Sequence, residues 1–427
     1  MAPGSPQSFG FPLVKDASPT HASPSMHGSI SESVRRPSIA TLPRSSAEFS
    51  RSSAEFSPGE VGSSNQEFWR HTTTFRIMVI GSLNFDHIWV LPRLVQPSET
   101  VIAEHRAAPG GKGATQAVAC ARLSRGRSVN NNAFRRRSSG SQEVKKFIKV
   151  SMIGAVGTDH AADEMVEALQ ANNVDTEYIL QCQGEATGRA SIAIWGNGEN
   201  NVLVCPGANY RLTFDKIGVS LRKGWPHLLI LQMEIPVQTV EDLIARAAKE
   251  GIPILLNAAP VMDDFPRDIL RSVEHLIVNK VEAERLLERY QPASNTSWQR
   301  PAREDDRDAE IGSGTELRRS LLSKFGMKFA VVTMGSHGGV AGSRGYDNQL
   351  RIFDYEAAEV EEVVDTTGCG GVFIGAYAVQ YIRQKFSQGG GFDLARAVNW
   401  AASAAAFKAK SIGSLDGIPW EDQLEAT

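Results

Sequence analysis

The chain has 427 residues, 41% of them hydrophobic, enough apolar material for one large α/β domain or two average ones. Lys and Arg number 45 against 48 Asp and Glu, a net charge of −3, so there is no basic footprint for nucleic acid or an anionic membrane. No apolar run approaches the ~18–20 residues of a membrane span and no N-terminal apolar stretch reads as a secretory leader. The 4 cysteines are widely spaced with no CxxC pair, which excludes a zinc ribbon and a disulfide framework and fits a reducing compartment: the cytoplasm, with the nucleus left open.

Residues 1–74 are rich in Ser and Pro and poor in periodic apolar residues. They cannot offset the entropy of ordering and are expected to form a disordered tail. Within it RSSAEFS occurs at 44–50 and again at 51–57, too short and too polar for a solenoid. RRPS at Arg35–Ser38 has the spacing of a basophilic kinase site, but a solvated tail with accidental basic–serine spacing is the better reading. A single domain is expected over 75–427. FRIMVIGS (75–82) reads as a buried strand, KGATQAVACARL (112–123) as a helix, FIKVSMIGAVG (147–157) as a strand and HAADEMVEALQANNV (160–174) as a helix. LLILQM (228–233), IPILLN (252–257), HLIVN (275–279) and FAVVTM (329–334) are short apolar runs, each followed by a helical pattern. Strands alternating with helices predict an α/β fold, a mostly parallel sheet covered on both faces. Between 174 and 205, VDTEYIL, GRASIAIW and NNVLVC alternate without helices and predict a small separate sheet. Ser124–Lys146 and Gln291–Gly314 are polar and aperiodic and read as surface insertions. The Arg135–Arg137 run suits an acidic partner or, more simply, a solvated loop.

The chemistry-bearing residues sit where these strands end. GSLNFDH (81–87) follows the first strand, and Asn84 and Asp86, two apart, offer the amide and carboxylate that sugar hydroxyls need; an Asx-turn would use the same residues. PGGKGATQA (109–117) lets the backbone approach a ligand at Gly110 and Gly111, adds the Lys112 cation and opens a helix. It is neither a P-loop nor a dinucleotide fingerprint, since Arg106 and Gly113 break the first and GxGxxG is absent. Glu234 follows a strand in QMEIP. In NKVE, Asn279 and Glu282 lie on one side of an opening helical turn, a pairing equally good for Mg²⁺-bound water or for a plain helix cap. TMGSHGG (333–339) is a glycine-rich turn open enough for a nucleotide, and DTTGCGGVF (365–373) exposes backbone N–H groups at a helix start, where an anion is favoured.

In type and order these motifs resemble the PfkB (ribokinase-like) carbohydrate kinases across residues 75–425, through GIPWED near the end. GGKGxxQA is closest to the ribokinase form, although Thr115 stands where that form carries Asn. The resemblance implies a three-layer α/β/α fold with a β-sheet lid built from strands at about 99–105 and 174–205. It implies ATP-dependent phosphorylation of a sugar hydroxyl, D-ribose to ribose 5-phosphate being favoured, with Mg²⁺ and a potassium activator. Asn84, Asp86, Gly110, Gly111, Lys112, Gly113, Thr115 and Glu234 take the sugar-binding positions. Asn279, Thr333, Gly335, Ser336, His337, Gly338 and Gly370 take the ATP side, and Glu282 would organise Mg²⁺ and phosphate. Asp365, Thr367, Ser411 and Gly413 match the potassium-holding region, and Gly368, Cys369 and Gly370 the anion hole. The partners implied are the sugar, ATP and a second copy docked through the lid; neither nucleic acid nor membrane is.

One position departs. The family's last motif ends in an Asp that accepts the proton of the attacking hydroxyl, and here that position is Gly371. A positioned base is worth ~10²–10⁴-fold, while positioning and charge stabilisation supply most of the rest in a loose phosphoryl transfer. Slow but non-zero transfer is the expectation. The competing reading is an inactive pseudokinase that binds sugar or nucleotide and regulates a partner. Cys369 beside it is either a thiol activated at a helix start or a packed small side chain.

Overall fold

The first strand, β1 (Thr74–Ile80), sends Ile77 and Val79 into one apolar core and Met78 and Ile80 into another, the pattern of a strand covered on both faces. The computed structural model describes residues 74–127, 147–195, 199–221, 224–262, 268–288, 307–387 and 390–424. The Ser/Pro-rich tail up to residue 73, Arg135–Arg137 and most of both polar insertions lie outside those residues.

The chain continues through β2 (Asn84–Leu91), β3 (Glu104–Gly110), α1 (Lys112–Leu123), β4 (Phe147–Ile153), β5 (Ala155–Val156), α2 (His160–Ala171), β6 (Leu180–Gln181), β7 (Gly188–Trp195) and β8 (Glu199–Cys205). Then come α3 (Phe214–Leu221), β9 (Leu228–Leu231), α4 (Val237–Lys249), β10 (Ile254–Leu256), β11 (His275–Asn279), α5 (Lys280–Glu288), α6 (Arg307–Phe325) and β12 (Phe329–Thr333). It closes with β13 (Gly339–Arg344), β14 (Leu350–Tyr355), α7 (Cys369–Lys385) and α8 (Leu394–Lys408).

The central sheet runs β4-β1-β9-β10-β11-β12-β13-β14, parallel as far as β12 and antiparallel beyond it. Helices α1, α2, α7 and α8 share one core with the sheet, and α3, α4, α5 and α6 share the other. This is the expected three-layer α/β/α arrangement with a mostly parallel sheet.

A second, four-stranded sheet, β3-β2-β7-β8, stands apart where the lid was expected. Strands β7 and β8 fall on GRASIAIW and NNVLVC as expected, and the other strands differ. The chain at 99–103 is not strand, and β3 runs over 104–110 instead. Residues 174–179 contribute no lid strand; only Leu180–Gln181 is extended, and it pairs with β5 outside the lid. The missing central strand is β2, whose first residues belong to the GSLNFDH motif. Asn84, Asp86 and Ile88 turn inward and are buried, while Phe85, His87 and Trp89 turn outward. The underside of the lid is an apolar patch of Ile88, Ala190, Ile192 and Ile194, packed against Ile412. Two further expectations fail. Residues 307–314 of the presumed insertion belong to α6. FAVVTM leads into β13 rather than a helix, because the turn Gly335–Gly338 reverses the chain, with Met334 N donating to Gly338 O at 2.8 Å and Gly338 at φ 78°.

Candidate active site

Between the C-terminal ends of the sheet strands and the lid lies a cleft of about 300 Å³. One polar wall of it is made where β1 passes into β2. Glu234, after β9, accepts from Ser82 Oγ at 2.6 Å and from Asn84 Nδ2 at 3.3 Å, and pairs with Lys112 Nζ at 3.5 Å. Asn209 fixes the other side of Asn84, donating to its Oδ1 at 2.8 Å and accepting from Leu83 N at 2.9 Å. Asp86 accepts from Ser414 Oγ. It is only 2% exposed, and burial raises its carboxyl to about 7; the Ser414 hydrogen bond opposes the rise and the Glu234 charge adds to it. Burial works against the Lys112 ammonium, yet Glu234, Glu282 and Asp86 outweigh it and hold it above the usual lysine value. Gly110 is required here because a Cβ would collide with the Asp86 carboxylate, and Gly111 because its φ is 92° and a Cβ would lie 2.7 Å from Asn84 N.

The opposite wall is α7. Gly368 caps it at φ 83°, Cys369 N donates to Thr366 O at 3.1 Å, and Val372 N donates to Gly368 O at 2.9 Å. That leaves the first-turn N–H groups of Gly370 and Gly371 at the mouth, and both residues line the cleft. Cys369 is not activated: burial pushes its thiol up to about 11, and Sγ packs 3.9 Å from Asp365 O. Asp365 Oδ1 accepts from Thr367 N at 2.7 Å and Oδ2 from Gly413 N at 2.8 Å, so one carboxylate ties the start of α7 to the segment after α8. Asn200 of β8 donates to Thr367 Oγ1 at 3.1 Å, joining the second sheet to the turn before α7.

Asn279 and Glu282 form a reciprocal cap at the start of α5. Asn279 N donates to Glu282 Oε2 at 2.9 Å, and Glu282 N donates to Asn279 Oδ1 at 2.8 Å. Burial raises the Glu282 carboxyl. Both residues also face the cleft, so the cap and the site use one arrangement.

The cleft therefore gathers Asn84, Asp86, Gly111, Lys112, Thr115, Glu234, Asn279, Glu282, Thr333, Thr367, Gly368, Gly370 and Gly371. Gly110, Gly113, Asp365, Cys369, Ser411 and Gly413 do not line it. Gly335, Ser336, His337 and Gly338 form the turn after β12, beyond the lining. The sequence reading missed Asn200, Asn209, Gln116, Asn257 and Ser414. Gln116 donates to Asn257 Oδ1 at 3.3 Å and lay unremarked inside a quoted motif, whereas lone amides such as Asn209 carry no local signal.

Gly371 has a close neighbour. A Cβ added there would lie 2.6 Å from Thr115 Cγ2 and 3.0 Å from its Cβ. Thr115 cannot easily turn away, since its Oγ1 donates to Gly111 O at 2.9 Å and it is 2% exposed.

The family model of the pfkB family carbohydrate kinases matches residues 74–421. The chain belongs to the PfkB family of carbohydrate kinases. Among its relatives, a ribokinase of Schizosaccharomyces pombe is 31% identical over 80% of this chain and 94% of its own length. A deoxyribokinase of Salmonella typhi is 29% identical over 82% and 97%. A ribokinase of Cryptococcus neoformans solved with ADP superposes with a TM-score of 0.64 at 24% identity, covering 82% of this chain and 99% of its own. A ribokinase of Arabidopsis thaliana solved with ribose and ATP gives 0.61 at 23% identity, covering 83% and 98%. This PfkB-family chain thus shares the ribokinase fold over almost all of its described part. Among the described residues no helix is long and apolar enough to cross a membrane.

Proposed function

We propose that this chain transfers the γ-phosphoryl group of ATP to a sugar hydroxyl, D-ribose to ribose 5-phosphate being the preferred reaction, and that it does so slowly. The observation that carries the reading is the cleft itself, which sets the buried Asn84, Asp86 and Glu234 and the partly exposed Lys112 opposite the glycine-lined start of α7. The first wall alternates acceptors and donors, as a polyol requires. The second offers N–H groups and a helix dipole to a phosphate. Its likeness to ribokinases, among them one solved with ribose and ATP, supports the assignment of walls to ligands.

Mg²⁺ fits near Glu282. Its carboxylate faces the cleft and is held by Asn279 N, and a cation would favour the charged form that burial disfavours. Bound there, the ion would neutralise charge on the phosphoryl oxygens. Sugar contacts fall to Asn84, Asp86, Lys112 and Glu234, with Gly110, Gly111, Gly113 and Thr115 shaping the floor. Gly368, Cys369 and Gly370 with Gly371 form the anion turn, and Asn279, Thr333 and the turn Gly335, Ser336, His337 and Gly338 take the nucleotide. The outer lid face exposes Trp89 and Leu203, a surface suited to a second copy.

The slowness follows from Gly371, which offers no proton acceptor. The space where an acid's Cβ would stand is occupied by the Thr115 methyl, which also favours a second reading, a binding protein with no turnover. The two separate by incubating ribose and ATP with concentrated protein and following phosphorus NMR. A new, ribose-dependent phosphomonoester signal supports the kinase. Saturable binding of both ligands without any such signal moves the assignment to the binding protein. Deoxyribose belongs in the same panel.

A further inference from the structure

Lys408, the last residue of α8, is buried to 0% exposure, among the largest fully buried side chains of the protein. A lysine in that state needs partners for its charge. Its Nζ donates to Ser411 O at 2.8 Å; burial lowers its pKa, and the charges of Asp365 and Asp416 on the surrounding segments oppose that fall. Its own helix ends here, so the partial negative charge of the C-terminal carbonyls adds to the attraction. The hole it fills lies between two segments that are already laced together. Val364 N and Asp365 N both donate to Ala409 O, at 2.8 and 3.1 Å, and Gly413 N donates to Asp365 Oδ2.

These are the same segments, Asp365, Thr367, Ser411 and Gly413, at which the family resemblance placed potassium. A potassium ion does not fit there. It needs a shell of oxygens that replaces its water, and here Ser411 O already faces an ammonium while both Asp365 oxygens accept backbone N–H groups. Ammonium and potassium carry the same charge and are close in size, so two of them in one hole would repel strongly in a water-poor setting.

We propose that the Lys408 ammonium is a tethered substitute for the monovalent cation, so that the anion turn is assembled without potassium. The connection to the site is short. Gly368 at the start of α7 packs on Ser414, a Cβ there lying 2.7 Å from Ser414 O, and Ser414 Oγ in turn donates to Asp86. Lys408 therefore positions the phosphate turn and, through it, the sugar carboxylate. The inference rests on the carbohydrate-kinase reading for what the segment does, and its test does not need turnover.

The test is thermal unfolding in choline, sodium and potassium chloride at equal ionic strength, for the unaltered protein and for Lys408→Ala. A cation that binds only the folded state raises the melting temperature by mass action. The unaltered protein is expected to melt at one temperature in all three salts. Lys408→Ala is expected to melt lower in choline and to recover selectively in potassium, which then enters the vacated hole. With a non-hydrolysable ATP analogue, the variant should also show potassium–nucleotide coupling of about 5–150-fold, the usual size for linked sites. A potassium-selective rise for the unaltered protein overturns the proposal, as does a Lys408→Ala variant that melts like its parent and ignores potassium. Should Lys408→Ala not fold, thallium-soaked crystals of the unaltered protein decide: anomalous density bonded to Ser411 O contradicts the substitution, and an ion-free contact from Lys408 supports it. If no analogue binds in any salt while the melting pattern holds, the kinase reading fails and the tethered cation stands.

Discussion

At Asp86 the sign of a pH effect follows from burial. Its folded-state carboxyl titrates near 7 against an ordinary 3.8, so between those values the folded protein binds more protons than the unfolded chain. Stability contributed by this group is therefore greatest in acid and falls as pH rises towards 7. Sugar hydroxyls donating to the carboxylate favour its charged form and reverse the effect. Ribose affinity should rise as pH increases through about 7, and below that value binding should release a proton. Calorimetry in buffers of different ionisation heat reads the proton directly, and a pH-independent affinity contradicts the assignment of Asp86 to sugar. At Gly371 the neighbour matters as much as the missing acid. Gly371→Asp alone forces its Cβ against the Thr115 methyl and is expected to cost about 1–3 kcal/mol, as overpacked cores do. Thr115→Ser keeps the hydroxyl for Gly111 O and removes the methyl, so the double variant should recover most of that loss in a denaturant titration. The departure at Thr115 was visible in the sequence, as was that at Gly371. Their contact was not, because 256 positions separate them and nothing local marks either as the other's partner.

At the scale of elements, periodicity revealed what is apolar on both faces and concealed what is not. β1, β9, β11 and β12 were legible as short runs of mostly apolar residues. β2 was not, because its inward positions begin with Asn84 and Asp86, polar residues where a strand ordinarily buries carbon. The site thus disguised the element that carries it, and the functional motif was read as a loop. The cap of α5 shows the opposite case, in which structure and function coincide. Glu282→Ala removes the acceptor for Asn279 N and should cost about 0.5–2 kcal/mol, the range for lost caps. Glu282→Gln keeps the acceptor oxygen. It should restore most of the melting temperature while leaving Mg²⁺-dependent nucleotide binding weak. Recovery of both together would mean that Glu282 only caps the helix.

Across the whole molecule, the lid, the anion turn and the sugar wall form one hydrogen-bonded circuit. Asn200 reaches from the lid to Thr367, Asp365 links that turn to Gly413, and Ser414 closes on Asp86. Ribose should accordingly tighten ATP-analogue binding, and Asn200→Ala should weaken that coupling while changing stability by no more than about 0.5 kcal/mol, as for a surface site. Equal coupling in the variant would remove Asn200 from the circuit. We propose that this circuit is an ATP:sugar phosphotransferase lacking only its base. The most direct test is the single-turnover rate of ribose phosphorylation by the unaltered protein and by Thr115→Ser/Gly371→Asp, with ligand binding checked in both. The account predicts a slow but measurable rate for the first and a gain of about 10²–10⁴-fold for the second. An ordinary kinase rate of about 1–100 s⁻¹ in the unaltered protein, or no gain in a folded double variant that binds both substrates, would contradict it.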